Sequence, residues 1–553
     1  MKNYQPNYLS MLLLMFVCIA SCSNETTSGP GFEIGGTPAE SVYQIPSDRK
    51  VLLPGTGFQT GDIVRLTDTG ISHNTYRVEA AVEGDGAVIT LPGNFVDGRY
   101  ELFIVRGTRQ VRYGLAVFRA DSDRPGELDR PDYDRLTADR HPRLLMDDEA
   151  FGSLMEQVRA GNNQVLNRLH ATNLRNADIY GLAAAPLAYQ LDAAEKRILH
   201  ISNAALLRIF SCAYAYRATG DRKYLDHAEN DINTVCNFPD WNGHRHYLDV
   251  GEMAAAVALG YDWLYADLQP ETRANAERAL REYAFDTAEP YGSSFYNKVS
   301  NWNQVCNAGL VCGALAVYET CPETAEAIIE KSLESNRTAV EALYAPHGNY
   351  PEGYGYWEYG TVFEVLMLTA LETAAGSDAG ISATAGFDRT AEWLLYMVGT
   401  KHQGFNYADT PPFSASVDIP SWYFADRFKK PSILYFNKRN LDALTTDYYN
   451  WNHRLLPMIM VFAGRVDLNS VTPPTQKVWA GEGVTPVVLV HTDWTWSDTD
   501  KYLGIKGGKA RSSHAHMDAG SFVYDAYGVR WSMDIGRQDY ATLEVALKAL
   551  GGN

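Results

Sequence analysis

Cysteine is scarce in this chain, seven in 553 residues. Cys18 and Cys22 fall in an N-terminal apolar stretch; the other five, Cys212, Cys236, Cys306, Cys312 and Cys321, are odd in number and lack ligand-like spacing. That does not make a disulfide framework, and they read as small core residues. Long hydrophobic runs are lacking too. Residues 9–20 are rich in Leu, Met, Phe and Val but too short to cross a membrane as a mature helix, and no other stretch is long and apolar enough. Positive charge is in deficit: 48 Lys and Arg against 67 Asp and Glu leave a net charge of −19. A phosphate backbone needs a basic face, so nucleic acid is not expected as a partner. An acidic substrate remains open if the cleft itself is locally basic. What is plentiful is apolar and aromatic residues, 46% and 12%, enough for several cores and two or three domains.

Lys2 ahead of the apolar stretch fits a secretory signal peptide. The stretch ends in Ile19-Ala20-Ser21-Cys22, which resembles the lipobox of bacterial lipoproteins. The resemblance implies that residues 1–21 are removed, that Cys22 is lipidated, and that residues 22–31 form a flexible tether. The expected location is a Gram-negative envelope, with the chain lipid-anchored on the periplasmic or outer-membrane surface. The competing reading is a buried N-terminal helix.

Residues 32–120 alternate with period two in DIVRLTD, YRVEAAVE, AVITL and YELFIV, broken by PGTG, GDG and PGN turns. This predicts a small β-sandwich. Its KVLLPGTGFQTGD stretch resembles immunoglobulin-like IPT/TIG modules. After the linker ADSDRPGELDRPDYD the pattern turns helical over residues 135–470. Ala276, Leu280 and Tyr283 stand at i, i+4 and i+7 behind Pro270 at the first helical position. A repeat follows: QPETRANAERAL at Gln269 is echoed by CPETAEAIIEKSL from Cys321, and DVGEMAAAVALGYDWLY by NWNQVCNAGLVCGALAVYE. Two helices per roughly fifty residues predict stacked hairpins, hence an α/α toroid or incomplete barrel. From residue 476 the period returns to two, and a second antiparallel β-sandwich is expected over 476–553. Only residues 535–553 follow Asp534, so that sandwich is expected to be incomplete.

Three segments exceed what packing needs. SNWNQVCN, residues 300–307, places Asn301, Asn303 and Gln304 at a helix start, where capping explains Ser300 and Asn301 but not all the amides. NYPEGYGYWEYG, residues 349–360, reads as an aromatic loop suited to stacking on sugar rings, or as a packed loop under the toroid. SHAHMDAGS, residues 513–521, precedes an alternating run, so His514 and His516 are expected at a strand start with both imidazoles on one face. Lys506, Lys509 and Arg511 lie just before them, as a local basic site or as a solvated loop.

Together with HYLDVGEMAAAVALGYDWLY and FNYADTPP, these segments resemble the heparinase II/III-like polysaccharide lyases over about residues 145–536. The resemblance implies an α/α toroid followed by β-sandwich domains, and β-elimination on an anionic, uronic-acid-containing polysaccharide. It places Asn301 and Gln304 against the uronate carboxylate, with Asn303 as substitute. Tyr356 becomes the proton shuttle, with Tyr354 and Tyr359 as alternatives, and His514 its partner. Trp357, Tyr359 and Arg511 would contact substrate. An ordinary tyrosine ionises near pH 10, so a base role for Tyr356 calls for a nearby cation, here His514 or the 506–511 run. The resemblance also puts a structural Zn²⁺ on His516 and Asp534, with a third ligand from beyond this chain. No organic cofactor is implied. Two other readings stand beside it: a toroidal glycoside hydrolase drawing on Asp249, Glu252, Glu352 and Glu358, and a non-catalytic glycan-binding surface protein.

Overall fold

The computed structural model describes residues 32–37, 40–46, 48–68, 75–92, 95, 98–120, 130–137, 140–414, 416–509 and 512–549. Cys22, the segments 1–21 and 22–31 expected as signal peptide and tether, and Arg511 therefore lie outside the described residues. The chain divides into two compact units, one within residues 32–120 and one from residue 130 onward.

The first unit is all β: β1 (Glu40–Ile45), β2 (Lys50–Pro54), β3 (Ile63–Asp68), β4 (Thr75–Glu83), β5 (Gly86–Thr90), β6 (Gly98–Arg106) and β7 (Arg109–Ala120). They join in the order β1-β7-β6-β3-β4-β5-β2, antiparallel except for the β1–β7 pair. Strand β4 pairs with β3 through its first half and with β5 through its second, so one strand carries the sheet around a corner. Inward residues such as Leu53, Val64, Ile89, Leu102 and Ile104 are fully buried and give this unit a core of its own. Asp62 takes Nε and Nη2 of Arg106 at 2.7 and 2.8 Å.

The second unit begins with α1 (Asp148–Ala160), α2 (Gln164–Asn176), α3 (Leu199–Thr219), α4 (Arg222–Cys236), α5 (Tyr247–Leu264), α6 (Pro270–Ala279), α7 (Asp286–Tyr291), α8 (Asn301–Ala316), α9 (Pro322–Tyr344) and α10 (Gly353–Ala375). Next come α11 (Thr390–Tyr396), α12 (Ile419–Arg427), α13 (Tyr435–Asp442) and α14 (Ile459–Ala463). Helices α2, α3, α5, α8, α10, α12 and α14 touch in that order, and α14 meets α2, so the inner ring closes. Helices α4, α6 and α9 lie behind it. The two-helix repeat of the sequence is thus an inner and an outer helix: α5 with α6, then α8 with α9.

Every residue of α5 is buried, which is why its sequence is apolar all round rather than amphipathic. Helices α5 and α8 approach backbone to backbone at Gly251 and Gly309, where a Cβ on Gly309 would overlap the Gly251 carbonyl oxygen. Pro270 and Pro322 open the two outer helices at positions whose N–H has no partner within the helix. Among the described residues no helix is long and apolar enough to cross a membrane. Cys212, Cys236, Cys306 and Cys312 are buried free thiols; burial pushes Cys212 and Cys236 up to about 12.

A second sheet follows: β8 (Val478–Gly481), β9 (Val487–His491), β10 (Tyr502–Lys506), β11 (Phe522–Ala526) and β12 (Val529–Ser532), antiparallel in the order β12-β11-β10-β9-β8. One face sits on the toroid. Tyr502 Oη donates to Met397 O at 3.1 Å, His491 Nε2 lies 3.0 Å from Tyr396 O, and Thr400 N donates to Asp525 at 3.0 Å. Helix α15 (Tyr540–Ala549) closes the described chain and returns to the toroid. Arg197 on the toroid holds Glu544 with Nη1 and Nη2 at 2.8 and 2.6 Å, and Lys548 holds Glu195 at 2.7 Å.

Candidate active site

The aromatic segment 349–360 is not a loop throughout. From Gly353 it forms the first turns of α10, because no proline interrupts it and its alternate faces have the ring to pack against. Helical spacing then sorts the side chains. Trp357 points inward, fully buried, its Nε1 donating to Thr390 Oγ1 at 2.8 Å, so it is a core residue and not a substrate contact. Tyr354 stacks on Phe413 with ring centroids 3.9 Å apart. Tyr359 donates to Glu252 Oε1 at 2.7 Å, while Arg454 Nε holds the other oxygen of Glu252 at 2.7 Å. Burial nevertheless wins over Arg454 and raises the Glu252 carboxyl. Tyr356 alone of the four turns toward the histidines.

The histidines do not stand on a strand. They lie in the loop between β10 and β11, and His514 has a left-handed backbone with φ of 57°. Strand β11 begins only at Phe522, after Lys506 and Asp518 have paired side chain to side chain and closed the loop. What places the imidazoles together is Asp409, from the FNYADTPP segment. Its Oδ2 lies 2.9 Å from His514 Nδ1 and its Oδ1 lies 2.8 Å from His516 Nε2. The same Oδ2 accepts from Tyr540 Oη on α15. Burial works against the charged carboxylate, yet the bonds from Tyr540, His516 and His514 hold Asp409 below the usual range.

Above this hub the Tyr356 and His514 rings stack, centroids 3.8 Å apart and planes at 15°. Tyr356 Oη and Tyr540 Oη are 3.4 Å apart. Burial raises the Tyr356 phenol, so it keeps its proton near neutrality. Lys506, 4% exposed and paired with Asp518, does not supply the depressing cation expected from the sequence. Arg537 is the cation near this phenol; its guanidinium lies over the Tyr540 ring at 4.8 Å, and its Nε has no hydrogen-bond partner.

The amides divide. Asn301 N and Nδ2 both donate to Glu352 Oε2 at 3.0 Å, so the acidic side chain caps α8. The second oxygen of Glu352, buried and without a hydrogen-bond partner, lies 3.8 Å from His514 Nε2. Asn301 therefore joins the site. Gln304 does not: its Nε2 donates to Tyr344 Oη at 2.7 Å and Glu364 Oε2 at 3.2 Å, and its Oε1 accepts from Tyr350 at 2.7 Å. Asn303 is also internal, donating to Ser335 Oγ at 2.8 Å. Both are fully buried, with no donor left for a substrate.

The metal donors expected from the resemblance do not fit. His516 bonds Asp409, not Asp534, and the Asp534 carboxylate accepts from Gly536 N at 2.8 Å. Among the described residues no group of three or more His, Cys, Asp or Glu is arranged to hold a metal ion.

No family model matches the chain, and no curated protein matches it. Among solved structures it is similar to a heparinase III, the BT4657 gene product, at 10% identity and a TM-score of 0.40 over 72% of this chain and 65% of that one. It is similar to an alginate lyase from Bacteroides ovatus at 13% identity and 0.41, over 58% of this chain and 99% of that one. It is also similar to a family 76 glycoside hydrolase from a bovine Bacteroides thetaiotaomicron strain at 9% identity and 0.31, over 78% and 98%.

Asp409, Tyr540 and Arg537 are the site residues that sequence reasoning missed. Asp409 carried a signal, because FNYADTPP already belonged to the segments of the resemblance; Tyr540 and Arg537 carried none.

Proposed function

We propose that the chain is a polysaccharide lyase that opens a uronic-acid-containing glycan by β-elimination. The observation that carries this reading is the stacked pair of Tyr356 and His514 over Asp409. With Nδ1 donating to Asp409, the imidazole is in the tautomer whose Nε2 holds a lone pair, the arrangement of an oriented general base. Tyr356, held protonated by burial, is the matching acid. The base removes the C5 proton; the C–H electrons form the C4–C5 double bond; the C4–O bond breaks and the departing oxygen takes the phenolic proton. The uronate carboxylate must be neutralised for that proton to become acidic enough. Arg537, the cation whose charge acts on this phenol, is the group we assign to it; Asn301 gives its amide to Glu352 instead.

The hydrolase reading draws less support. Asp249, Glu252 and Glu352 are buried, Asp249 bonds His246 at 2.7 Å, and Glu358 pairs with His453 at 2.9 Å, so none forms an open carboxylate pair. The Cys22 lipobox-like sequence supports lipid anchoring at the envelope, where such a glycan would be met.

The test is turnover on a panel of uronic-acid polysaccharides, followed by ultraviolet absorbance of the unsaturated uronate. Hydrolysis yields no such chromophore. Tyr356→Phe and His514→Ala should each lower kcat by about 10²–10⁴-fold with glycan binding retained. Binding without ultraviolet-absorbing product from any member of the panel would leave a glycan-binding protein.

A further inference from the structure

Helix α15 comes from the far end of the described chain, yet it is fixed at the site and not beside it. The Arg197–Glu544 fork and the Lys548–Glu195 pair tie it to the toroid. Its first residue, Tyr540, then sits with its hydroxyl among three partners: Asp409 Oδ2, to which it donates, His514 Nδ1 at 3.1 Å and Tyr356 Oη at 3.4 Å. One carboxylate oxygen thus touches the base directly and reaches the acid through one phenol. The ring of Tyr540 is in turn covered by Arg537.

Resting on the lyase reading, we infer that Tyr540 is a positioning residue for the acid, and that Asp409 and Tyr540 together fix Tyr356 and His514 relative to one another. Asp409 holds the base in its productive tautomer. Tyr540 meets the Tyr356 hydroxyl and keeps it over the departing C4 oxygen. The two residues therefore serve different halves of one elimination: Asp409 the removal of the C5 proton, Tyr540 the protonation of the leaving oxygen. Neither needs to contact the sugar. A purely structural Tyr540 would slow any substrate equally, whereas a residue that acts through the acid matters only when the leaving group needs a proton.

The experiment compares two uronides in wild type, Tyr540→Phe, Tyr356→Phe and Asp409→Asn. One carries the ordinary sugar at C4; the other carries fluoride, which departs as the anion without protonation. On the glycan, Tyr540→Phe should lower kcat roughly 10–100-fold with KM little changed. On the fluoride, Tyr540→Phe and Tyr356→Phe should return to within about threefold of wild type, while Asp409→Asn stays low on both because its base is mis-set. Full activity of Tyr540→Phe on the glycan overturns the assignment. So does an equal loss on both substrates, which is what a folding defect would give. If wild type turns over neither, the lyase reading itself fails and this inference with it; wild-type turnover with an indifferent Tyr540→Phe sinks the inference alone.

Discussion

At the residue scale, the site is organised by one carboxylate. Asp409 joins groups from three stretches of chain: its own segment, the β10–β11 loop and α15. A fully buried carboxyl has a different role. Glu364 lies behind the site with one oxygen accepting from Gln304 and Asn336, and burial raises it to about 7. Its folded value is above its unfolded one, so the neutral form is favoured by folding. Stability is complete below the unfolded value near 4.5 and is lost as pH rises toward and through 7. Glu364→Gln keeps an oxygen acceptor and removes the ionisation. The variant should therefore gain on wild type between pH 5 and pH 8, by up to about 3 kcal/mol. Urea unfolding at the two pH values checks this; a gap between the two proteins that does not change with pH would refute it.

At the element scale, hydrophobic periodicity is informative where a helix has one wet face and ambiguous where it has none. The outer helices α6 and α9 were legible from their prolines and spacing. The start of α10 was not, because glycines and aromatics read as a loop until the ring packs around them. The histidine loop misled for the opposite reason: alternation just downstream is real strand, but 512–519 form a loop tied to Lys506 through Asp518, and backbone pairing with Lys506 resumes only at Gly520 and Ser521. Amides at the start of α8 also looked alike in sequence. Their partners separate them, since Asn303 is spent on Ser335 of the outer helix α9 and Gln304 on Tyr344 and Glu364, and only Asn301, at the helix tip, reaches Glu352. The α5–α8 crossing makes a direct prediction. Gly309→Ala places a methyl group against backbone, which cannot rotate away, so it should cost about 1–3 kcal/mol by thermal or denaturant unfolding. An unchanged midpoint would mean that the two helices are farther apart than described.

At the scale of the whole molecule, the proposed acid–base pair, Tyr356 and His514, belongs entirely to the second unit. A chain lacking residues 32–120 is expected to keep its kcat on the preferred glycan. The first unit, with its own buried core, is expected to unfold cooperatively when expressed alone. Circular dichroism melts of the separate piece, and turnover of the shortened chain, test both. Loss of more than tenfold in kcat would show that the first unit contributes to chemistry.

The sequence by itself determined the order of β, helical and β regions, the pairing of inner with outer helices, and the segments from which the candidate site is drawn. These follow from local period, turn residues and internal repetition, all of which are properties of neighbours along the chain. Only the tertiary structure decided which amide reaches Glu352, that Asp409 and not Asp534 holds His516, and that Tyr540 meets Tyr356. Each of those is a contact between residues more than fifty positions apart, or a choice of face on a buried helix, and neither leaves a mark in local spacing.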